Sequence, residues 1–390
     1  MPRWSNWSGR HQAHPRQLHF ARSEDDLRAL VGHAAASGTT VRAAGAGHSH
    51  APLVPADGII VDISGLAGVM DADRQQRTAR VWAGTPVHSL GRPLHDAGLG
   101  LLNQGDIDRQ TIAGACATGT HGTGATLRNL SSAVVGARLV LASGELVDCD
   151  AANEPDLWQA VRLNLGALGI VTRLTLAVRN AYRLEEHGWR EPFDSLAGRL
   201  AELERATRHF EFFWYPEDDV AVAKATSETA APARYPIGEE GTRCAWSYEV
   251  LPSHRPHRHT EMEYSVPAEH GAECMAAIRS LIHRDFRALR WPVEYRLLAA
   301  DDVWLSSAYQ RPTVTISVHQ DIAEDEASYF RACEEVFLQY DGRPHWGKVH
   351  YLSGERLAAL HPGWERWWSV RDRFDPHRVF LNDYLRCLHP

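Results

Sequence analysis

Val41-Arg-Ala-Ala-Gly-Ala-Gly-His-Ser-His50 is the stretch from which the rest of this 390-residue chain is read. Thr39–Val41 has the look of a short buried strand, and glycines follow it. A dinucleotide loop of the Rossmann kind needs a third glycine and a helix directly behind. Here His48, Ser49, His50 and Pro52 follow instead, so no helix starts where a pyrophosphate would need one. The glycines still let the backbone close on an anion, and successive N–H groups can form a nest. Ala43, Ala44, Gly45, Ala46, Gly47 and Ser49 are the candidate cradle, with His48 at its tip, in reach of a cofactor ring. Taken alone, a turn with a satisfied histidine is the simpler reading of these ten residues.

A second stretch, Thr111-Ile-Ala-Gly-Ala-Cys-Ala-Thr-Gly-Thr-His-Gly-Thr-Gly124, holds almost nothing larger than threonine. It is a poor helix or strand former, but it can lie flat against a planar ligand and offer many N–H groups. Glycine linkers are rarely this rich in alanine and threonine, so a plain linker is the weaker reading. Gly114, Ala115, Thr118, Gly119, Thr120, His121, Gly122, Thr123 and Gly124 join the candidate cofactor residues.

Around these stretches the first half is mixed. Ser23-Glu-Asp-Asp26 caps a helix to about residue 36, and Gly58–Ile63 is a second buried strand. Thr85-Pro86 opens a helix, residues 133–149 form a hairpin about Ser143-Gly144, and 156–165 are helical. Gly169–Leu176 is a strand, which completes an α+β unit of about 180 residues. Residues 1–22 read as an arm over the body. From Asn180 onward, period-two segments at 210–215, 261–266, 293–297 and 313–319 alternate with helices near 192–208, 267–284 and 324–340. That pattern is an antiparallel sheet with helices on one face. Residues 224–260 are polar and patternless, a long excursion. The expected division is 1–180, 181–340, and a C-terminal segment, 341–390, that returns to the first unit.

Composition narrows the function. The net charge of −8 is spread along the chain, against a nucleic-acid polymer as partner. The six cysteines form no CxxC pair and the N-terminus has no signal-peptide core, so a reducing cytoplasm is the expected setting. No apolar run approaches the roughly 20 residues that span a bilayer. The oligomeric state is not legible in the sequence, which a monomer fits.

Three groupings carry chemistry. Glu294 and Arg296 share a strand face, a carboxylate beside a guanidinium that can grip hydroxyl and carbonyl oxygens; a surface ion pair is the competing reading. Gly342-Arg-Pro-His-Trp-Gly-Lys348 brings His345 and Lys348 to one turn, where the ammonium can stabilise negative charge or, desolvated, take a proton. Ser253-His254-Arg-Pro-His257-Arg-His259 suggests a metal, but it is a loop without cysteine, Glu261 is its only candidate carboxylate, and no metal is expected.

Together these motifs resemble the vanillyl-alcohol oxidase (PCMH-type) flavoprotein superfamily, most closely its sugar-1,4-lactone oxidases, with alditol oxidases nearby. The likeness runs through Ser5-Asn-Trp-Ser-Gly9, Gly47-His-Ser49, residues 117–124, Gly166-Ala-Leu-Gly-Ile-Val171, Phe213-Trp-Tyr-Pro216, Pro292–Arg296 with Asp301-Asp302, Gly342–Lys348 and the C-terminal Asp375-Pro and Leu381-Asn382. It implies a two-subdomain FAD-binding domain capped by a substrate domain. It further implies FAD joined covalently through His48, with Gly169, Ile170, Val171 and His345 also at the flavin. Glu294, Arg296 and Lys348 match the family's polar triad as catalytic and substrate-binding residues, and His319 lines the cleft by position. The implied reaction is hydride removal from a polyhydroxylated substrate, an aldono-1,4-lactone first, with O2 as acceptor and hydrogen peroxide as product. An alditol, a sugar hydroxyl on a nucleoside, another electron acceptor, or flavin binding without turnover are the alternatives. The vertebrate relatives carry an apolar membrane-associating insertion where 224–260 here is short and polar, so no membrane partner is expected.

Overall fold

The computed structural model describes residues 2–253 and 255–390; Met1 and His254, the latter part of the histidine-rich loop, lie outside the described residues. The class is α+β, as expected. Gln17–Phe20, Ile59–Asp62 and Val41–Ala44 form a three-stranded parallel sheet with Ile59–Asp62 in the middle. The helix Glu24–Ala36 is capped by the Ser23 side chain, which accepts from the Asp26 N–H, and buries Leu27, Val31 and Ala34. Beside it lies an antiparallel sheet in the order Leu146–Asp150, Val134–Val140, Ile170–Asn180, Thr78–Trp82, Val69–Asp73, with Leu99–Leu101 pairing the far end of Ile170–Asn180. One apolar core joins these elements to Trp346, Trp364, Trp367, Phe380 and Leu385, so the chain end packs back on the first half.

The second sheet has eight antiparallel strands: Cys244–Trp246, Arg183–Pro192, Val220–Glu228, His209–Tyr215, Val293–Leu298, Thr313–Asp321, His259–Pro267 and Arg343–Pro344. Its alternation has an unusual consequence. Phe210, Phe212, Trp214, Met262, Tyr264, Tyr295, Ile316 and Val318 point into a core closed by the helices Gly271–Asp285 and Ala327–Gln339. The intervening Glu211, Glu261, Glu263, Glu294, Arg296, Ser317 and His319 are buried as well, on the opposite face. A sheet that faced water there would leave these groups exposed.

Three local expectations are corrected. Val220–Glu228 is a full strand, nine residues in register with Arg183–Pro192, so the excursion begins only after residue 228; its polar outward residues had hidden the alternation. Residues 111–124 contain a helix, Ile112–Thr118, capped by the Thr111 hydroxyl and closed by Gly119 at φ +80. Burial of Ile112, Ala115 and Cys116 overrides the weak local preference. The Thr85-Pro86 start gives a 3-10 turn, Val87–Ser89, and only then a helix, Gly91–Asp96. No described helix is long and apolar enough to cross a membrane.

Candidate active site

Between the two halves lies a cavity of about 490 Å³. Its floor is built from the small-residue stretches. The strand Val41–Ala44 delivers the chain to Gly47, whose φ of +69 belongs to glycine's range. A Cβ at Gly45 would lie 2.2 Å from the Thr111 hydroxyl, so the two stretches touch only because one is bare. The N-terminal arm straps this turn from outside: Trp7 N–H donates to Gly47 O at 2.8 Å, and Asn6 Nδ2 to Ser49 O at 3.0 Å. Trp7 stacks on His48 with ring centroids 5.4 Å apart. Burial first, then the nearby charge of Lys348, pushes His48 down to about 4, so its imidazole is neutral at ordinary pH.

Of the residues expected at a cofactor, Ala43, Gly45, Ala46, Gly47, His48, Ser49, Gly114, Thr118, Thr120, His121, Gly169, Val171 and His345 line this cavity. Ala44, Ala115, Gly119, Gly122, Thr123, Gly124 and Ile170 do not reach it. They serve beside it: Gly124 N–H donates to Leu297 O at 2.9 Å, and Thr123 Oγ1 accepts from Leu297 N–H at 3.1 Å, which ties the floor to the second sheet.

Glu294, Arg296, His319 and Lys348 all line the roof. Lys348 is placed by backbone: its N–H donates to His345 O at 3.0 Å, and Val349 N–H to Glu261 O at 2.9 Å, along the edge of the strand His259–Pro267. Its ammonium is paired with Glu261. Arg296 donates to Glu263 at 2.5 Å, and the same carboxylate accepts from Ser317 Oγ at 2.7 Å and lies 3.1 Å from His121 Nε2. Around Arg296 and Lys348, the carboxylates of Glu261, Glu263 and Glu294 thus share two cations. Glu294 is the one left over: Arg296 is 3.3 Å away and already taken, and Glu294 Oε1 has no partner. Burial, with Asp106, Glu211 and Glu261 as like charges nearby, outweighs Arg296 and pushes its carboxyl up to about 8. Glu261 goes the other way; against the cost of burial, the Lys348 ammonium holds it well below the usual carboxylate range. His319 Nδ1–H donates to Pro292 O at 2.9 Å, leaving Nε2 as an acceptor, and burial lowers the ring to about 4.

Glu261 and Glu263 are the residues that sequence reasoning did not assign to the pocket. Their signal was present: Glu261-Met-Glu263 alternates on the same period as Glu294-Tyr-Arg296, and register sets Glu261 opposite His319 and Glu263 opposite Ser317. Arg255, Asp106 and His259 line the cavity too.

Comparison with known proteins points the same way. Residues 174–240 and 236–388 match the family model described as D-arabinono-1,4-lactone oxidase, and residues 15–150 match the FAD binding domain. The chain is similar to L-gulono-1,4-lactone dehydrogenase of Mycobacterium tuberculosis, at 37% identity over 99% of this chain and 98% of that one. It is also similar to alditol oxidase of a Streptomyces species, at 30% over 98% of each. L-gulonolactone oxidase of Bos taurus is 23% identical over 98% of this chain and 97% of its own. Among solved structures, cholesterol oxidase of B. sterolicum superimposes with a TM-score of 0.88 over 100% of this chain and 96% of that one. At 17% identity that likeness is one of fold.

Proposed function

The chain belongs to the D-arabinono-1,4-lactone oxidase family and is an FAD-dependent oxidoreductase, and from that premise we propose that it oxidises a carbinol of a polyhydroxylated substrate, an aldono-1,4-lactone first, with oxygen as acceptor. The observation that carries the reading is the buried polar sheet face, Glu261, Glu263, Glu294, Arg296 and His319, set over a floor of bare backbone. A flat ring fits that floor because Gly45, Gly47 and Gly114 present backbone to it, and bare Gly45 lets its turn close on Thr111. Gly45–Ser49, Gly114, Thr118, Thr120, His121, Gly169, Val171 and His345 would hold the FAD. When bound, FAD supplies the hydride acceptor and passes the electrons on.

The chain's own residues do the rest. Vicinal hydroxyls need acceptors, which the Glu261 carboxylate and Nε2 of His319 provide; a ring carbonyl needs a donor, which neutral Glu294 and Arg296 provide. The ion pair with Glu261 favours one of the two roles expected for Lys348, that of the cation stabilising a developing alkoxide. The hydroxyl proton passes to the acceptors facing it. Peroxide release over a panel of lactones, alditols and nucleosides tests the substrate class; a lactone is expected to give the highest kcat/KM, and turnover of none by a yellow protein would overturn it. The dehydrogenase name of the mycobacterial relative favours a second reading, in which a dye acceptor outpaces oxygen in the same assay.

His48 is proposed as the covalent link, on the strength of its neutral ring and its place in the cavity wall. Acid precipitation of wild type is expected to carry yellow colour into the pellet, whereas His48→Ala releases flavin to the supernatant. A colourless wild-type pellet would remove the link.

The leftover carboxylate predicts a pH dependence. Glu294 rises from its ordinary 4.5 to about 8, so the folded protein binds its proton more tightly than the unfolded chain does. The contribution of Glu294 to stability is therefore fullest below 4.5 and is lost as pH climbs through about 8. Substrate affinity is expected to fall over the upper part of the same range, as the donor becomes an anion. Glu294→Gln keeps the donor and should flatten both profiles between pH 6 and 9; unchanged profiles would assign the dependence elsewhere, since Arg296, Arg255, Asp106, Glu211, Glu261 and His319 share that face.

A further inference from the structure

Beside Lys348, at the cavity wall and just behind it, lies a buried cluster for which the oxidation has no full use. His50 sits just past the small-residue turn, and His259 and Glu261 open the strand His259–Pro267. One donor atom from each lies within 4.8 Å of the other two. Glu261 Oε2 is 3.5 Å from Nε2 of His259 and 3.9 Å from Nε2 of His50. Donors around a tetrahedral dication with bonds of about 2.0–2.1 Å stand roughly 3.3 Å apart, so the spacing is near that of ligands and long for hydrogen bonds.

The hydrogen bonds orient the ligands. His259 Nδ1 is 3.0 Å from the carbonyl of His257, and a carbonyl only accepts, so Nδ1 carries a hydrogen and Nε2 is the ring nitrogen turned toward Glu261. Nδ1 of His50 is buried and has no partner among the described residues. A ring nitrogen tied to a backbone carbonyl while the other faces a carboxylate is how imidazole ligands are held in metal sites. The frame is rigid, since His50 N–H donates to Gly347 O at 2.7 Å and Val349 N–H to Glu261 O at 2.9 Å.

We propose that His50, His259 and Glu261 form a binding site for a divalent transition metal of the zinc class, which competes with the Lys348 ammonium for Glu261. Two imidazoles and one carboxylate suit that class better than magnesium or calcium, which prefer all-oxygen sites. The sequence pointed away from a metal because the histidine-rich stretch is a loop without cysteine and with Glu261 as its only carboxylate; His50 arrives from the other half of the molecule. Metal in this site takes the carboxylate from Lys348 and so inhibits.

The test is calorimetric titration of zinc chloride into chelator-treated, flavin-loaded enzyme, with the visible flavin spectrum reporting the fold of each variant. One strong site is expected, weakened about tenfold or more in Glu261→Gln and in His259→Gln. Lys348→Met, which removes the competing cation, is expected to bind zinc several-fold more tightly, a gain that misfolding does not produce. No saturable one-to-one binding would overturn the proposal. So would affinities in all three variants equal to wild type, the signature of zinc on surface histidines only.

Discussion

Lys348→Met is expected to slow single-turnover flavin reduction by about 10²–10³-fold, the loss seen when one preorganised donor to a developing oxyanion is removed. The argument is geometric. Two turns of backbone pairing along the strand His259–Pro267 hold Lys348 over the floor, and Glu261 fixes the ammonium. Methionine keeps most of the volume and removes the charge. It also leaves Glu261, whose side chain is 4% exposed, without its partner, so the fold loses stability as well. The double variant Lys348→Met/Glu261→Gln separates the two effects: it should recover stability and remain slow. Anaerobic stopped-flow at the flavin band measures the rate, and denaturant titration the stability. A single variant reducing its flavin within about threefold of wild type would take Lys348 out of the chemistry.

Arg42→Met should be the most damaging substitution for the fold, at about 3–5 kcal/mol. Arg42 is 1% exposed and has no carboxylate partner among the described residues. Its guanidinium donates to Leu53 O at 2.8 Å, to Gly166 O and Leu165 O at 2.6 Å each, and to Phe380 O. One side chain thus ties together the segment after the small-residue turn, the turn before the strand Ile170–Asn180, and the C-terminal return. Removal strands several buried carbonyls, each costing about 1–3 kcal/mol where water cannot enter. Leu53, Leu165 and Gly166 line the cavity, so flavin affinity is expected to fall with stability. The denaturation midpoint with and without added FAD measures both. A loss below about 1 kcal/mol would mean that the carbonyls find other donors.

Much was legible beforehand because it depends on local pattern. Runs of alanine, glycine and threonine can build little except a close-fitting wall, so Gly45–Gly47 and 111–124 were recognisable as candidate cofactor surfaces. Period-two alternation put Glu294 and Arg296 on one face, and it does the same for Glu261 and Glu263. What alternation does not carry is which face is covered. A charged residue in a strand reads the same whether water or another domain lies over it, and the ion-pair reading of Glu294 and Arg296 was the simpler one on local grounds.

The sequence by itself therefore determined the α+β class, the two small-residue turns and the residue types available for chemistry, because period and side-chain size are properties of neighbours in the chain. Only the tertiary structure decided who pairs with whom. Lys348 meets Glu261 across 87 residues, His121 meets Glu263 across 142, and Arg42 reaches Phe380 across 338. Such contacts follow from register and from the way the chain returns on itself. They alone make Glu294 the carboxylate that must share its cation, Arg42 a buried tie, and His50 a neighbour of His259 and Glu261.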